Sequence, residues 1–274
     1  MENPRPIPAP QRLHPLAGRV AIVTGGSGGI GAAVAQHLAT LGAQVAITYS
    51  SSPGKADALV QSINSDSETS SSPPTTAQPR ATAIKCDITD PVQVQSLFDQ
   101  ASQILGPDIH ILVNSAGILD PNYPTIATTP LEDWDRTFST NTRGAFLCAR
   151  EAARRLVKGG GGRIIMFTSS AIGVLRVGFG AYAASKSAVE TMTKTLAKEL
   201  RGTRITANCV APGPVATEMF FAGKNEDLVK KITMENPLER LGEIGDVAPV
   251  IGFLASDEGE WINGQVIRVN GGLV

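Results

Sequence analysis

Thr24-Gly25-Gly26-Ser27-Gly28-Gly29-Ile30-Gly31 is a glycine-rich stretch that connects an apolar run, Val20 to Val23, to a segment with helical periodicity, Ile30 to Leu41. Glycines at such a junction allow positive φ, and they let backbone N–H groups and the helix N-terminus approach a pyrophosphate. The order of strand, glycine-rich turn and helix indicates a dinucleotide-binding βαβ unit. It disfavours the alternative of an ordinary strand-to-helix turn.

Short apolar runs alternate with helical segments up to the C-terminus. Six further runs predict strands: Gln44 to Thr48, Thr82 to Cys86, Ile109 to Val113, Arg163 to Thr168, Arg204 to Val210 and Gln265 to Val269. Helical periodicity predicts further helices over Pro91 to Leu105, Leu131 to Leu156, Tyr182 to Leu200 and Ile244 to Ala255. Runs that are apolar throughout are typical of strands buried on both faces of a parallel sheet. Residues 18–274 are therefore predicted to form one doubly wound α/β domain with a seven-stranded parallel sheet.

Two segments depart from this alternation. Residues 1–17 contain five prolines, which fix φ and remove backbone donors, so we expect a loosely ordered leader. Ser62 to Arg80 is rich in Ser, Thr and Pro and has almost no large apolar side chains. Since such a segment cannot offset its ordering entropy by burial, it is predicted to be a mobile surface insertion within the domain.

Composition excludes several classes of protein. The 24 basic and 25 acidic residues nearly cancel, so the chain has no global field that attracts nucleic acid. No apolar run is long enough to cross a bilayer, and prolines occupy the N-terminus where a signal peptide needs an apolar stretch. We therefore expect a cytoplasmic protein without nucleic-acid or membrane partners. Three cysteines without CxxC spacing and three scattered histidines indicate neither a disulfide framework nor a metal site.

Further motifs follow the later predicted strands. They are Asn114-Ser115-Ala116-Gly117, Ser169-Ser170, Tyr182-Ala183-Ala184-Ser185-Lys186 and Pro212-Gly213-Pro214-Val215-Ala216-Thr217. Together with the TGxxxGxG spacing of the first turn, they resemble the motifs of the classical short-chain dehydrogenase/reductase family, in order, from about Leu16 to the C-terminus. Ser115 departs from the family's NNAG motif. The resemblance implies a Rossmann fold and points to NADPH-dependent aldehyde and ketone reductases.

Tyr182 and Lys186 are four residues apart on a predicted helix, so both side chains project from one face. An adjacent ammonium favours the phenolate and is expected to lower the pKa of Tyr182 from its free value near 10. General acid–base chemistry at a carbonyl then becomes possible. The alternative, a surface Tyr and Lys pair, is disfavoured by the neighbouring motifs.

A carbonyl that accepts hydride develops negative charge on its oxygen, which a serine hydroxyl can stabilise. Counting back from the tyrosine as in the family indicates Ser169, whereas aligning the SSxxG pattern with Gly173 indicates Ser170. We expect Ser170, since the intervening loop tolerates deletion better than the strand end. The resemblance implies that Asn141 completes the catalytic set by holding a water that links Lys186 to solvent. The alternative for Asn141 is a polar residue that bonds its own helix backbone.

The resemblance also implies the residues that contact the cofactor. They are Gly25, Ser27, Gly28, Gly29, Ile30, Tyr49, Ser50, Ser51, Asp87, Ile88, Asn114, Ala116, Gly117, Tyr182, Lys186, Pro212, Gly213, Val215 and Thr217.

The end of the second predicted strand bears on cofactor choice. Family members that prefer NAD usually carry an acidic residue there, which accepts hydrogen bonds from the ribose hydroxyls. This chain instead has Ser50, Ser51 and Ser52, with Lys55 nearby, and these groups can receive a 2′-phosphate. NADP(H) is therefore the expected cofactor. The glycine turn has no arginine, so we expect limited discrimination against NAD(H).

The stretch Glu218 to Lys224 lies where relatives have a mobile substrate lid. Its aromatic side chains, with Leu119, Tyr123, Leu175 and Phe179 on neighbouring loops, predict a small-molecule carbonyl or alcohol substrate, and favour a moderately hydrophobic aldehyde or ketone. The resemblance implies a homotetramer or homodimer packed through the helices that contain Asn141 and Tyr182. The small residues expected to allow close approach of the subunits are Ala145, Ala149, Ala152 and Ala153. The alternative for these alanines is ordinary burial within one subunit.

Three function classes follow. The favoured one is an NADPH-dependent carbonyl reductase. The second is an NAD-dependent alcohol dehydrogenase with the same chemistry in the oxidative direction. The third is a non-catalytic dinucleotide-binding sensor, which the joint presence of Asn141, Ser170, Tyr182 and Lys186 disfavours.

Overall fold

A computed structural model describes residues 14–65 and 79–274 of the chain. All seven predicted runs form strands: β1 Val20–Thr24, β2 Gln44–Tyr49, β3 Ala81–Lys85, β4 Ile111–Asn114, β5 Arg163–Phe167, β6 Thr206–Pro212 and β7 Val266–Val269. They pair in parallel in the order β3-β2-β1-β4-β5-β6-β7. The predicted doubly wound parallel α/β fold is confirmed.

Helices connect the strands. They are α1 Gly29–Thr40, α2 Pro53–Ser65, α3 Pro91–Leu105, α4 Leu131–Phe138, α5 Ala145–Arg155, α6 Ala171–Val174, α7 Gly180–Glu199, α8 Glu218–Phe221, α9 Glu226–Met234 and α10 Ile244–Ala255. A π-helical turn, Ser139–Gly144, joins α4 to α5, and a short 3₁₀ helix spans Ile126–Thr128.

The core lies on both faces of the sheet because successive side chains of a strand point to opposite faces. Val20 and Ile22 of β1 pack in the cluster that includes α3, α5 and α7, whereas Ala21 and Val23 pack against α1 and α10. These four side chains are 4% exposed or less, which explains why the strand is apolar throughout.

The strand order reverses beside β1, which pairs with β2 on one side and with β4 on the other. Helices leave the sheet on opposite faces at such a point, so the carboxyl ends of the strands open into a crevice. The glycine turn follows β1 at this position and is thereby directed into the crevice.

The helix predicted over Leu131 to Leu156 is not continuous. The π-helical turn interrupts it, and this turn contains Asn141. Hydrophobic periodicity cannot reveal such an interruption, since the wider turn shifts the helix face by only one residue.

The described parts of both predicted loose segments are packed into the fold. Ser62 to Ser65 belong to α2, where Ile63 is 2% exposed because its aliphatic side chain packs in the core. Leu16, expected in the leader, is fully buried, and its N–H donates to the carbonyl oxygen of Leu41 at 2.9 Å. The remainder of both predictions, residues 1–13 and 66–78, lies outside the described residues.

The alanines of α5 do not face a partner as expected. Ala145, Ala149 and Ala152 are at most 3% exposed within the subunit because they pack toward the sheet, and Ala153 is packed against the same core. Phe146 occupies the exposed face of α5 instead. Homo-oligomer formation stays a prediction. Within residues 14–65 and 79–274, none of the helices has the length and apolar character that a membrane span requires.

Candidate active site

A cavity of about 590 Å³ opens at the carboxyl edge of the sheet. Its walls come from the glycine turn, the ends of β2, β4, β5 and β6, the start of α7 and the segment around α8. Such a volume is typical of a small-molecule or cofactor site, and its position is the one expected for ligands of doubly wound sheets.

Close packing requires glycine at two positions of the turn. Gly25 has φ +64°, and a Cβ there would lie 2.9 Å from the backbone nitrogen of Ala116. A Cβ on Gly31 would overlap the carbonyl oxygen of Gly25. The turn is held to β2 by the Gly25 N–H, which donates to the Thr48 hydroxyl at 3.2 Å. These contacts place the start of α1 against the turn.

The N-terminus of α1 fits a pyrophosphate. A Cβ on Gly28 would meet no atom within 4 Å, and Gly28 lines the cavity, so the backbone is open to a ligand there. In the part of the chain that the structure describes, no side-chain hydrogen bond caps α1. Its first N–H groups therefore remain available to an anion, which the helix dipole also favours.

The cavity collects most of the residues expected to contact a dinucleotide. Seventeen of the nineteen line it: Gly25, Ser27, Gly28, Gly29, Ile30, Tyr49, Ser50, Asp87, Ile88, Ala116, Gly117, Tyr182, Lys186, Pro212, Gly213, Val215 and Thr217. Ser51 and Asn114 do not. The Asn114 amide is buried, and its Oδ1 accepts a hydrogen bond from the Thr24 hydroxyl at 3.0 Å, so this residue joins β4 to β1 beneath the site.

Lys55 does not stand free beside the end of β2 as expected. Its ammonium forms an ion pair with Glu218 of α8, with 2.7 Å between Nζ and Oε1. Both side chains are more than half exposed, so water screens the pair and its contribution is small. Tyr49 and Ser50 line the cavity at the end of β2. The residues that β2 contributes to the cavity wall include no carboxylate.

Lys186 and Asn141 approach each other at Gly117. A Cβ on this glycine would lie 3.1 Å from the Lys186 ammonium and 3.2 Å from Asn141 Oδ1. The Lys186 ammonium is buried and donates to the carbonyl oxygen of Phe167, the last residue of β5, at 3.0 Å. Burial lowers the pKa of Lys186 to about 8, because the charged form loses its hydration.

Asn141 does not bond its own helix. Its Oδ1 accepts from the Ile118 N–H at 2.8 Å, while its Nδ2 donates to the Ile118 carbonyl oxygen at 2.9 Å and to the Ser185 hydroxyl at 3.1 Å. The side chain thus joins the loop after β4 to α7. The π-helical turn places Asn141 inward, in keeping with the frequent occurrence of such turns at functional sites.

Tyr182 lies half-buried at the wall of the cavity, with Lys186 on the same face of α7. The expectation that Lys186 lowers its pKa is wrong for this structure. Burial raises the pKa of Tyr182, and a hydrogen bond with the Ser169 side chain opposes this only in part. The Lys186 ammonium is 6.0 Å from the centroid of the Tyr182 ring and is directed toward Phe167.

The two serines after β5 have separate partners. Ser169 is the one whose side chain affects the pKa of Tyr182, and its Oγ accepts from the Ala171 N–H at 3.1 Å. The Ser170 hydroxyl donates to the carbonyl oxygen of Ala211 at 3.0 Å and accepts from Asn270 Nδ2 at 2.9 Å. In this structure Ser169 is therefore the serine that acts on Tyr182, and the catalytic role expected of Ser170 stays a prediction.

The expected substrate residues divide into two groups. Leu119, Phe179, Met219 and Phe220 line the cavity, while Tyr123, Leu175 and Phe221 do not. Leu175 is 72% exposed. Two cations that the sequence reasoning did not select, Arg176 and Lys224, also line the cavity. Basic residues inside the otherwise apolar loop segments were the signal that could have revealed them.

Comparisons with known proteins extend these observations. A family model described as enoyl-(acyl carrier protein) reductase matches residues 25–274. A curated Arabidopsis thaliana protein, named NADPH-dependent aldehyde reductase-like protein, chloroplastic, is 60% identical over 95% of this chain and 96% of its own length. This chain belongs to the short-chain dehydrogenase/reductase family. It is accordingly an NAD(P)-dependent oxidoreductase.

Two further family members are similar over nearly the whole chain. Arabidopsis thaliana NADPH-dependent aldehyde reductase 2, chloroplastic, is 55% identical over 94% of each chain. A short-chain dehydrogenase from Burkholderia cenocepacia J2315, solved in complex with NADP, is 36% identical with a TM-score of 0.84 and covers 94% of this chain and 98% of its own. The names of both Arabidopsis relatives include the word chloroplastic, so the expected cytoplasmic location stays a prediction.

Proposed function

We propose that this short-chain dehydrogenase/reductase is an NADPH-dependent carbonyl reductase that reduces a moderately hydrophobic aldehyde or ketone. The observation that carries the proposal is that Ser169 and Tyr182 line the same cavity as the glycine turn. Two hydroxyls at one wall can bind one carbonyl oxygen, and the glycine turn fits the pyrophosphate of the cofactor.

When bound, reduced nicotinamide supplies the hydride. The carbonyl carbon accepts the hydride, the π electrons of the C=O bond move to the oxygen, and Tyr182 protonates this oxygen as general acid. Ser169 donates a hydrogen bond to the same oxygen and stabilises the developing charge. A phenol with a raised pKa holds its proton at neutral pH, so Tyr182 enters the reaction in the form that a reductase needs.

Lys186 and Asn141 support the acid rather than contact the carbonyl. Lys186 stands on the same helix face as Tyr182, and its buried ammonium, 6.0 Å from the centroid of the Tyr182 ring, is fixed on the carbonyl oxygen of Phe167. Asn141 ties the loop after β4 to α7, which keeps Gly117 open beside Lys186. A proton can then return to Tyr182 from Lys186 through water, the role that the family assigns to this pair.

NADPH is the cofactor that the end of β2 favours. A carboxylate at position 50 would repel a 2′-phosphate, and this chain has Ser50 there. The names of the two Arabidopsis relatives include NADPH, and the Burkholderia structure contains NADP. The absence of a carboxylate at position 50 also disfavours the alternative of an NAD-dependent alcohol dehydrogenase, since the ribose hydroxyls of NAD would lack an acceptor there.

A carbonyl panel followed by NADPH absorbance tests the proposal. The rate of reduction should rise with the apolar size of the aldehyde. Each aldehyde should be reduced faster with NADPH than with NADH. Tyr182→Phe keeps the ring, so it should lose at least about a hundredfold in turnover while still binding NADPH. Near wild-type turnover of this variant, or the absence of NADPH consumption across the panel, would reject the proposed function.

A further inference from the structure

A lysine ammonium lies at the outer part of the cavity, away from the glycine turn. Lys224 Nζ donates to the Tyr123 hydroxyl and to the carbonyl oxygen of Phe220. It also lies 4.6 Å from the centroid of the Tyr123 ring and 4.7 Å from that of Phe220. An ammonium has three N–H donors, and both hydrogen-bond acceptors here are neutral. The rings and these two oxygens hold the ammonium in place without neutralising it.

The neighbouring cation, Arg176, is neutralised by a carboxylate, unlike Lys224. Arg176 forms an ion pair with Glu235, whereas no carboxylate of the described residues lies within 4.0 Å of the Lys224 ammonium. Burial, and then the positive charge of Arg176, lower the pKa of Lys224. This part of the cavity wall therefore carries a positive charge that the fold does not compensate, at some cost in stability.

A line of aromatic rings connects this charge to the reacting end of the cavity. The Tyr123 ring stacks on Phe179 with 5.2 Å between centroids, and Phe179 meets the Tyr182 ring edge-on at 6.2 Å. Phe179, Phe220 and Met219 line the cavity along this direction. A substrate whose carbonyl lies at Tyr182 can thus extend past apolar side chains and reach Lys224 with its other end.

We propose that the physiological substrate is an aldehyde or ketone that carries a carboxylate remote from the carbonyl, and that Lys224 selects it by binding this carboxylate. The inference rests on the proposed carbonyl reduction and specifies its substrate class. A carboxylate replaces the water lost by a half-buried ammonium and forms a charge-assisted hydrogen bond with its free N–H. The aromatic and apolar wall between Lys224 and Tyr182 accepts the intervening carbon chain.

The test uses the full-length chain with NADPH and matched pairs of substrates. Medium-chain ω-oxo carboxylic acids are compared with their methyl esters of equal chain length, which lack the charge at the far end and carry one additional methyl group there. For the wild type, kcat/KM should be about fivefold to thirtyfold higher for the acid, mainly through a lower KM. Added salt should reduce this ratio.

In Lys224→Met, kcat/KM for the acid should be about equal to kcat/KM for the ester. Lys224→Arg should retain most of the wild-type preference for the acid. Lys230→Met, a change of an exposed lysine on α9, is the matched control and should leave the ratio unchanged. The ratio separates charge recognition from damage to the loop, since a structural effect lowers kcat/KM for the acid and for the ester alike.

A ratio near one in the wild type, or an unchanged ratio in Lys224→Met, overturns the inference while the reduction of esters leaves the proposed function standing. Failure to reduce either substrate with NADPH overturns both.

Discussion

Ser169 affects the pKa of Tyr182, although Ser170 follows it directly in the chain and lines the same cavity. The Ser170 hydroxyl is bound to the carbonyl oxygen of Ala211 and to the Asn270 amide instead. Two adjacent hydroxyls therefore have different environments, one at the reacting group and one in a structural network.

Substitution of the two serines separates these roles. Ser169→Ala should lower kcat by roughly a hundredfold with little change in the melting temperature, because it removes a donor to the developing oxyanion. Ser170→Ala should lower turnover far less but cost about 1 to 2 kcal/mol in the free energy of unfolding, since the buried carbonyl oxygen of Ala211 loses a donor and the half-buried Asn270 amide loses one of its two acceptors. Steady-state kinetics and urea unfolding of both variants decide between them. The reverse pattern would return the catalytic role to Ser170.

Cofactor preference depends on the absence of a carboxylate at the end of β2. NADPH should bind the wild type about tenfold to a hundredfold more tightly than NADH, corresponding to about 1.4 to 2.8 kcal/mol. Ser50→Asp should reverse this order, because the new carboxylate repels the 2′-phosphate and accepts hydrogen bonds from the NADH ribose. Titration of each protein with both cofactors measures the ratio. Equal affinities in the wild type, or the same ratio in the variant, would show that the 2′-phosphate is not read at this position.

The ion pair of Lys55 with Glu218 competes with the use of Lys55 by a 2′-phosphate. Glu218→Gln should release the ammonium and raise NADPH affinity about twofold to fivefold, with no such gain for NADH. Glu226→Gln, which removes an exposed carboxylate on α9, is the control for net charge. Calorimetric titration of the wild type and both variants with NADPH and NADH at low salt gives the six affinities. An equal gain for NADH and NADPH would mean that Lys55 does not discriminate between them.

Lys186 should make stability depend on alkaline pH. Its pKa is about 8 in the folded chain and 10.5 in the reference state, so between these values the unfolded chain binds more protons and stability rises with pH. The burial penalty is complete below about pH 8 and disappears as the pH approaches 10.5. Relative to Lys186→Met, the wild type should gain roughly 2 to 3 kcal/mol between pH 7 and pH 10.

Guanidinium unfolding of the nucleotide-free protein at both pH values measures this difference. Lys198→Met, a change of an exposed lysine at the end of the same helix, is the control and should follow the wild type. A parallel pH dependence of Lys186→Met and the wild type would contradict the lowered pKa.

The amino-acid sequence alone determined the sheet and the position of the glycine turn. Apolar runs, glycine spacing and the four-residue separation of Tyr182 and Lys186 are local properties, because a strand, a tight turn or one helix face is specified by neighbouring residues. Seven strands in one parallel sheet followed from these patterns and were confirmed.

Only the tertiary structure decided which groups meet inside the crevice. The orientation of Ser170 depends on Asn270, one hundred residues away, and the inward position of Asn141 depends on a π-helical turn without a hydrophobic signature. Burial set the direction of the Tyr182 pKa, since the loss of hydration outweighed the opposing effect of Ser169, while the Lys186 ammonium is directed toward Phe167. The charge of Lys224 is likewise decided by long-range packing, which leaves no carboxylate of the described residues within 4.0 Å of its ammonium.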